Sequence, residues 1–389
     1  MQIYNLTIKK FLSHLPLRCR AQYKSKFFFK IWIFFLLKVN MPYKKLKDTW
    51  TIKEEYRNIT GQFGIAPSAQ HPRSGLEEKY IKKHSSNIIK INNSIILKST
   101  KSNYMNDYYQ YIISVLKYII DKNNLSINII LDRGKYNFNN NNKTIKIGIN
   151  YEHTLVKEQP ADGDKKDRPF GKIKYNENKN YLVRIYRFHH LNSSDIIIDY
   201  SNPNIGNVKQ SRLFTDFSNK HIYVAPILYK NLHINTNNRN HQSITTFINI
   251  NKPRRKKLLK DIGKSTLNHS NINNCFDKYK LQELLQNTKV LINIHQTPYH
   301  NTFEELRCLP ALRNGVIVVS EKSPLNHLIP YNDLIIWTDY DNIIDKTKEV
   351  LENYEEYYKN IFTNKNIDIL NKMDDKNKKV MEDKIVSFF

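Results

Sequence analysis

From about residue 86 onward, short apolar runs alternate with amphipathic or polar stretches. The runs 94–98 (SIILK), 127–131 (INIIL), 144–150 (TIKIGIN), 181–186 (YLVRIY), 195–199 (DIIID) and 221–225 (HIYVA) have the length and β-branched content of strands. Between the first two, residues 106–122 place Tyr109, Ile112, Ile113, Leu116, Ile119 and Ile120 on one helical face. Apolar runs joined by helices or loops predict βα units and a mostly parallel sheet buried on both faces. The charged stretch 157–172, which carries Pro and Gly, predicts a surface excursion.

A second series starts near residue 226. Its predicted strands are 245–250 (TTFINI), 289–294 (KVLINI), 316–320 (VIVVS) and 334–337 (LIIW), and its helices 254–262, 281–287 and 303–313. Pro253 stands at the first turn of one helix, and Gly315 closes another. A last helix is expected over 341–361, followed by a tail rich in Lys and Asp. The fold class is α/β, with two Rossmann-like domains at 86–225 and 226–362 facing a cleft. An irregular basic extension, 1–85, precedes them, and the charged tail 363–389 follows.

Candidate chemistry concentrates in 289–337. The loop 295–301 lies outside the carboxyl end of a strand and feeds a helix N-terminus, where open α/β sheets bind ligands and free amides favour phosphate. Thr302 fits an N-cap with Glu305 three residues on as its capping-box partner. Glu304 has no such structural role and stands beside the crevice, with Arg307 on the same helix face. The pair could serve a ligand's hydroxyls and phosphate, or be a surface ion pair. Arg254 and Arg255 open the helix after the first strand of this series, beside Lys256 and Lys257, so a solvated basic face competes with a ligand role. In the first series, 150–155 (NYEHTL) follows a strand and sets Glu152 and His153 at the cleft rim, where His153 would serve as general base or hydrogen-bond donor. Asp199 or Ser201, in 199–205 (DYSNPNI), would line the same cleft. His189 and His190 read as surface residues. Asp339-Tyr340-Asp341 has a loose metal-binding pattern, but Asp341 suits an N-cap, and no metal is expected.

The run 289–337 resembles the donor-binding domain of glycosyltransferases of the group 1 type, which have the GT-B fold. The resemblance rests on Asn293 and His295, Glu304 and Arg307, Ala311-Leu312 with Gly315, and Ser320-Glu321. The stretch 244–259 (ITTFININKPRRKKLL) is similar to the first strand and basic helix start of that domain. The resemblance implies a nucleotide-sugar donor as substrate, with no further cofactor. It would be held by Arg254, Arg255, His295, Thr302, Glu304, Arg307, Ser320 and Glu321, while Glu152, His153, Asp199 and Ser201 face the acceptor, a glycan, protein or lipid. It also implies that the final helix and tail cross back to brace the first domain. Many relatives have two glutamates eight positions apart; here those positions are Thr302 and Pro310. The likeness is thus to a variant branch, similar to proteins of large AT-rich viruses, and a non-catalytic glycan- or nucleotide-binding protein is the alternative.

Composition changes this picture in a few places. At 389 residues, with 40% hydrophobic and 12% aromatic content, the chain suits a two-domain globular protein. A formal net charge of +26 invites a nucleic-acid reading. Lys is over-used together with Asn and Ile, however, as an AT-rich genome would dictate, and no stretch interleaves bases with aromatics in a nucleic-acid-binding pattern. A basic nucleic-acid-binding protein is therefore kept only as a further alternative, and nucleic acid is not the expected partner. Cys19, Cys275 and Cys308 are too scattered for a disulfide framework or zinc site. Residues 1–40 carry eight Lys and Arg and no acid, and 27–37 reads FFFKIWIFFLL. That stretch is shorter than the ~20 apolar residues of a membrane span. It reads as a patch lying on a membrane surface, an anchor of marginal length, or a leader ahead of a start at Met41. The expected location is cytoplasmic, with peripheral membrane contact through 24–38.

Overall fold

The computed structural model describes residues 88–90, 95–98, 103–132, 138, 140–157, 170–175, 179–212, 214–236, 239–275 and 278–389. The expected basic extension 1–85, with its 27–37 apolar stretch and Cys19, lies outside the described residues.

The chain runs through β1 (Ile88–Lys90), β2 (Ile95–Lys98), α1 (Asn103–Lys122), β3 (Ile127–Asp132) and β4 (Lys143–Asn150). Next come β5 (Leu155–Lys157), β6 (Phe170–Tyr175), β7 (Lys179–Val183), α2 (Phe188–Asn192), β8 (Ile196–Asp199), α3 (Asn202–Ser211), α4 (Thr215–Lys220) and β9 (His221–Tyr223). One sheet has the order β1-β2-β3-β4-β8-β9 and is parallel except at the β1 edge. β3 and β8 are buried at every position, as layers covering both faces of a parallel sheet require. β5, β7 and β6 form a small antiparallel sheet of their own. The predicted strand 181–186 is corrected accordingly. Its pairing ends at Val183, and its partners are β5 and β6, not the parallel strands. The excursion expected over 157–172 includes strand from Phe170, while 158–169 lie outside the described residues.

The second series comprises β10 (His241–Thr245), α5 (Pro253–Ile262), β11 (His269–Asn271), α6 (Lys278–Gln286), β12 (Thr288–Asn293), α7 (Glu305–Arg313), β13 (Ile317–Glu321) and β14 (Ile335–Thr338). Its sheet, β11-β10-β12-β13-β14, is parallel throughout. Two such parallel sheets with interleaved helices make a Rossmann-like α/β fold. The strand predicted at 245–250 ends at Thr245 instead. Ile248 and Ile250 are exposed in the loop beyond it, so that part of the apolar run is not core. α7 begins at Glu305 rather than 303, and Gly315 takes its expected left-handed turn at φ 69°.

The C-terminal expectation is also corrected. The helix predicted over 341–361 is two helices, α8 (Ile343–Glu352) and α9 (Tyr354–Ile361), and the tail is a third, α10 (Asn364–Val386). Leu370, Met373, Asn377, Met381 and Ile385 recur at helical spacing and are buried, while the Lys and Asp residues between them are exposed or half-buried. α10 packs on α1 and β9, so it does brace the first sheet. Asn377 Nδ2 donates to the Ala225 carbonyl and its Oδ1 accepts the Ala225 N–H, both at 2.9 Å. Tyr111 donates to Asp374 at 2.8 Å. Apolar side chains of both sheets and α10 form one continuous core. Among the described residues, no helix is long and apolar enough to cross a membrane.

Candidate functional site

The second sheet reverses its winding between β10 and β12. The chain leaves β10 toward β11 on one side and returns to β12 on the other. Loops at the carboxyl ends of these two strands therefore diverge and leave a crevice, the usual ligand position in such sheets. A cavity of about 510 Å³ opens there, within the roughly 300–1,000 Å³ typical of small-molecule sites.

Two guanidinium groups converge on it. Arg255, at the start of α5, lies over the Phe247 ring at 4.7 Å, and Arg307, in the first turns of α7, lies over the same ring at 5.7 Å. Arg307 also donates to Asn293 Oδ1 at 2.7 Å, and Asn293 in turn donates to Ser320 Oγ at 3.0 Å. Burial, and then the neighbouring Arg307, pull Arg255 down to about 10, so it is still charged at neutral pH. Glu304 shares the cavity. Burial pushes its carboxyl up, and Arg307 and Arg255 oppose that shift. Arg255 and Arg307 thus set two guanidinium groups side by side on this wall, where they can receive an anionic group, while Asp107, Glu152 and Arg184 also line the cavity.

The first series supplies the facing wall. Glu152, His153 and Arg184 line the cavity. His153 Nε2 is 3.8 Å from Glu304 Oε2, and its ring centroid is 5.9 Å from that of His300. Burial holds the His153 imidazole well below its usual range, helped by His300, His295, Arg184 and Arg307. A seam beside the cavity joins the two series. Asn301 N–H donates to the Leu155 carbonyl at 3.2 Å, and Val156 forms a β-bridge with His300. Thr302 Oγ1 donates to Asn204 Oδ1 at 3.0 Å and accepts the Leu155 N–H at 3.4 Å.

Of the expected site residues, Glu152, His153, Arg255, Glu304 and Arg307 line the cavity, and the others do not. Arg254 turns away from it to form a two-pronged pair with Glu321, at 2.7 and 3.0 Å, stacked 4.1 Å over Tyr340. Glu321 also accepts the His295 N–H, and His295 Nε2 lies 3.2 Å from the Lys322 carbonyl. Ser320 is buried beneath. Arg254, His295, Ser320 and Glu321 thus shape the loop after β12. Thr302 is not an N-cap: Glu304 occupies that position without a side-chain cap, and Thr302 belongs to the seam. Glu305 is not an exposed capping partner but fully buried, with its Oε2 accepting from Tyr223 and Tyr331. Asp199 and Ser201 do not line the cleft. Asp199 is buried against His221 at 2.8 Å, and also accepts from Asn150, Asn204 and the Ser201 N–H. His190 is only half-exposed, 3.5 Å from buried Asp132. Asp341 does not cap α8, whose N-cap is Asn342.

Sequence reasoning missed Arg184, His300 and Tyr200. His300 lies in the loop already singled out at 295–301. Arg184 follows a strand of the small sheet, and no sequence signal marks it. Tyr200 directly follows β8 and reaches His153 Nδ1 at 3.4 Å, a contact that only the fold creates.

No protein-family model matches the sequence. An uncharacterized protein of Acanthamoeba polyphaga mimivirus is 34% identical over 170 residues, 43% of this chain and 56% of that protein. The chain therefore spans little more than half the length of this relative. Among solved structures, the crystal structure of TarM aligns with 75% of this chain and 59% of that one, at 12% identity and a TM-score of 0.31. At that score the likeness carries no argument.

Proposed function

We propose that the protein is a glycosyltransferase of GT-B type. In this reading the second series holds a nucleotide-sugar donor, and the first series presents the acceptor through Glu152 and His153. The observation that carries it is the convergence of Arg255, Arg307 and Glu304 where a parallel sheet reverses, opposite His153. Arg255 and Arg307 would stabilise the departing diphosphate, the charge that develops as the sugar leaves. Arg254, with Glu321, would hold the loop that carries His300 rather than touch the donor. The mimivirus relative is consonant with a viral branch but has no assigned activity.

A non-catalytic sugar-nucleotide binder is the second reading, favoured by Thr302 and Pro310 at positions where many enzymes of the type carry glutamate. Thr302 is committed to the seam, and Pro310 is buried within α7. Melting scans with UDP- and GDP-sugars, followed by assay of donor hydrolysis, separate the possibilities. Stabilisation with turnover is expected of the enzyme, and stabilisation alone of the binder. Saturation at about 100 times the dissociation constant contributes roughly 2.7 kcal/mol, so no shift with any of them at millimolar concentration would sink both.

A further inference from the structure

The apolar run that continues past β10 packs into no core. Ile248 and Ile250 are 57% and 40% exposed there, and Tyr279, at the start of α6, is 78% exposed. Both segments emerge at the carboxyl edge of the second sheet. β10 and β11 are parallel neighbours, and Ile248, Asn249 and Leu281 line the same cavity. Lysines surround these apolar tips. Residues 246–260 hold six Lys and Arg and no acid, and Lys256, Lys257, Lys260 and Lys280 are exposed. Among the described residues, the acids close by sit at Lys257, which pairs with Asp261 at 3.0 Å and feels the charge of Asp341. Arg254 is bound to Glu321 and Arg255 faces the cavity, so the charge this rim offers a partner is that of lysine ammonium groups.

We propose that this rim docks on an anionic lipid bilayer, with Ile248, Ile250 and Tyr279 entering the headgroup region and the lysines facing lipid phosphates and carboxylates. Aliphatic tips ringed by lysine match such a surface. The apolar side chains gain by leaving water for the acyl boundary, and each ammonium is drawn to the negative leaflet. Tyrosine suits the headgroup level, with its apolar ring and polar tip. A single-stranded nucleic acid is met instead by stacked aromatic rings and arginine, and the core of a protein–protein interface is depleted of lysine. The surface belongs to a different part of the chain from the basic stretch 24–38. Docking sets the cavity mouth beside the headgroups, whether or not the bound ligand is turned over.

The full chain is floated with vesicles of phosphatidylcholine alone, or of equimolar phosphatidylcholine and phosphatidylserine. Flotation with the anionic vesicles only, weakening as salt rises, is expected. Failure to float with either would overturn the proposal. Ile248→Ser combined with Ile250→Ser should weaken partition at least about tenfold, with melting unchanged because both side chains are exposed. Lys256→Glu combined with Lys280→Glu should abolish the preference for anionic vesicles. Either double variant floating like the parent chain would assign attachment to another segment, 24–38 included, and overturn the proposal. Hydrogen exchange locates the contact: anionic vesicles should slow exchange of the amides over 248–252 and 279–281. Protection confined to 24–38 would count against this rim. Slowing of the same amides by a single-stranded RNA oligonucleotide, without vesicle binding, would overturn the proposal in favour of nucleic acid.

Discussion

The Tyr223 hydroxyl, at the end of β9, donates to Glu305 Oε2 in the first turn of α7 at 2.7 Å, and Tyr331 donates to the same oxygen at 2.8 Å. The first of these bonds joins the last strand of one sheet to a helix of the other series. Glu305 is completely buried, and burial pushes its carboxyl up to about 8 against the opposing hydrogen bonds.

This placement predicts a specific pH dependence. The folded state holds the Glu305 proton that the unfolded chain releases near pH 4.5, so stability falls as pH rises from about 4.5 to about 8 and levels off above. Glu305→Gln should flatten that part of the profile of Tm against pH. Glu305→Ala should cost about 1–3 kcal/mol for each tyrosine hydroxyl left unpaired. An unchanged pH profile in Glu305→Gln would show that Glu305 is not the group responsible.

The neighbouring arginines should separate cleanly. Arg254→Ala breaks the pair with Glu321 and leaves that carboxylate half-buried, costing about 1.5–3 kcal/mol of stability. Arg255→Ala removes a cavity cation, and should weaken nucleotide-sugar binding at least about tenfold, roughly 1.4 kcal/mol, with little change in melting. Calorimetric titration alongside thermal melts reads both effects, and reversed phenotypes would refute the assignment.

Asn204 should act as the pin of the seam. Its Oδ1 accepts from the Thr154 N–H at 2.9 Å and from Thr302 at 3.0 Å, while its Nδ2 donates to Asp199 and the Glu152 carbonyl. Asn204→Ala orphans several buried groups, at about 1–3 kcal/mol for each one left unsatisfied. Amide exchange at Leu155 and Asn301 should quicken more than exchange in the strands of either sheet. Uniform acceleration across the protein would mean that the seam opens only with global unfolding.

Deleting α10 should abolish folding rather than trim a tail. Leu370, Met373, Met381 and Ile385 are buried on it, and each such side chain contributes about 1.5–3 kcal/mol. A chain ending at residue 363 should be insoluble or lack a cooperative melt. A sharp transition near that of the full chain would show the helix to be dispensable. Within the full chain, Asn377→Ala should destabilise by leaving the Ala225 N–H unpaired, while the Ala225 carbonyl keeps its bond from the Ile227 N–H.

The sequence by itself determined the α/β alternation. Runs such as INIIL and KVLINI have no polar face and so demand cover on both sides, while Pro253 and Gly315 mark a helix start and a helix end through local backbone constraints. It also placed Glu304, Arg307 and Arg255 at helix starts and Glu152 and His153 just after a strand, and all five line the cavity. The tertiary structure alone decided which polar residues face that space. Arg254 and Arg255 are adjacent in sequence, but one helical step of about 100° turns one into an ion pair and the other toward the cavity. A shift of two residues in the start of α7 sends Glu305 into the core, where long-range tyrosines satisfy it, and leaves Glu304 at the rim. Tyr200 near His153, His300 against Val156 and Asn377 around Ala225 are contacts between segments distant in the chain. Periodicity reports which way a side chain points from its own element, and carries no information about what another element brings opposite it.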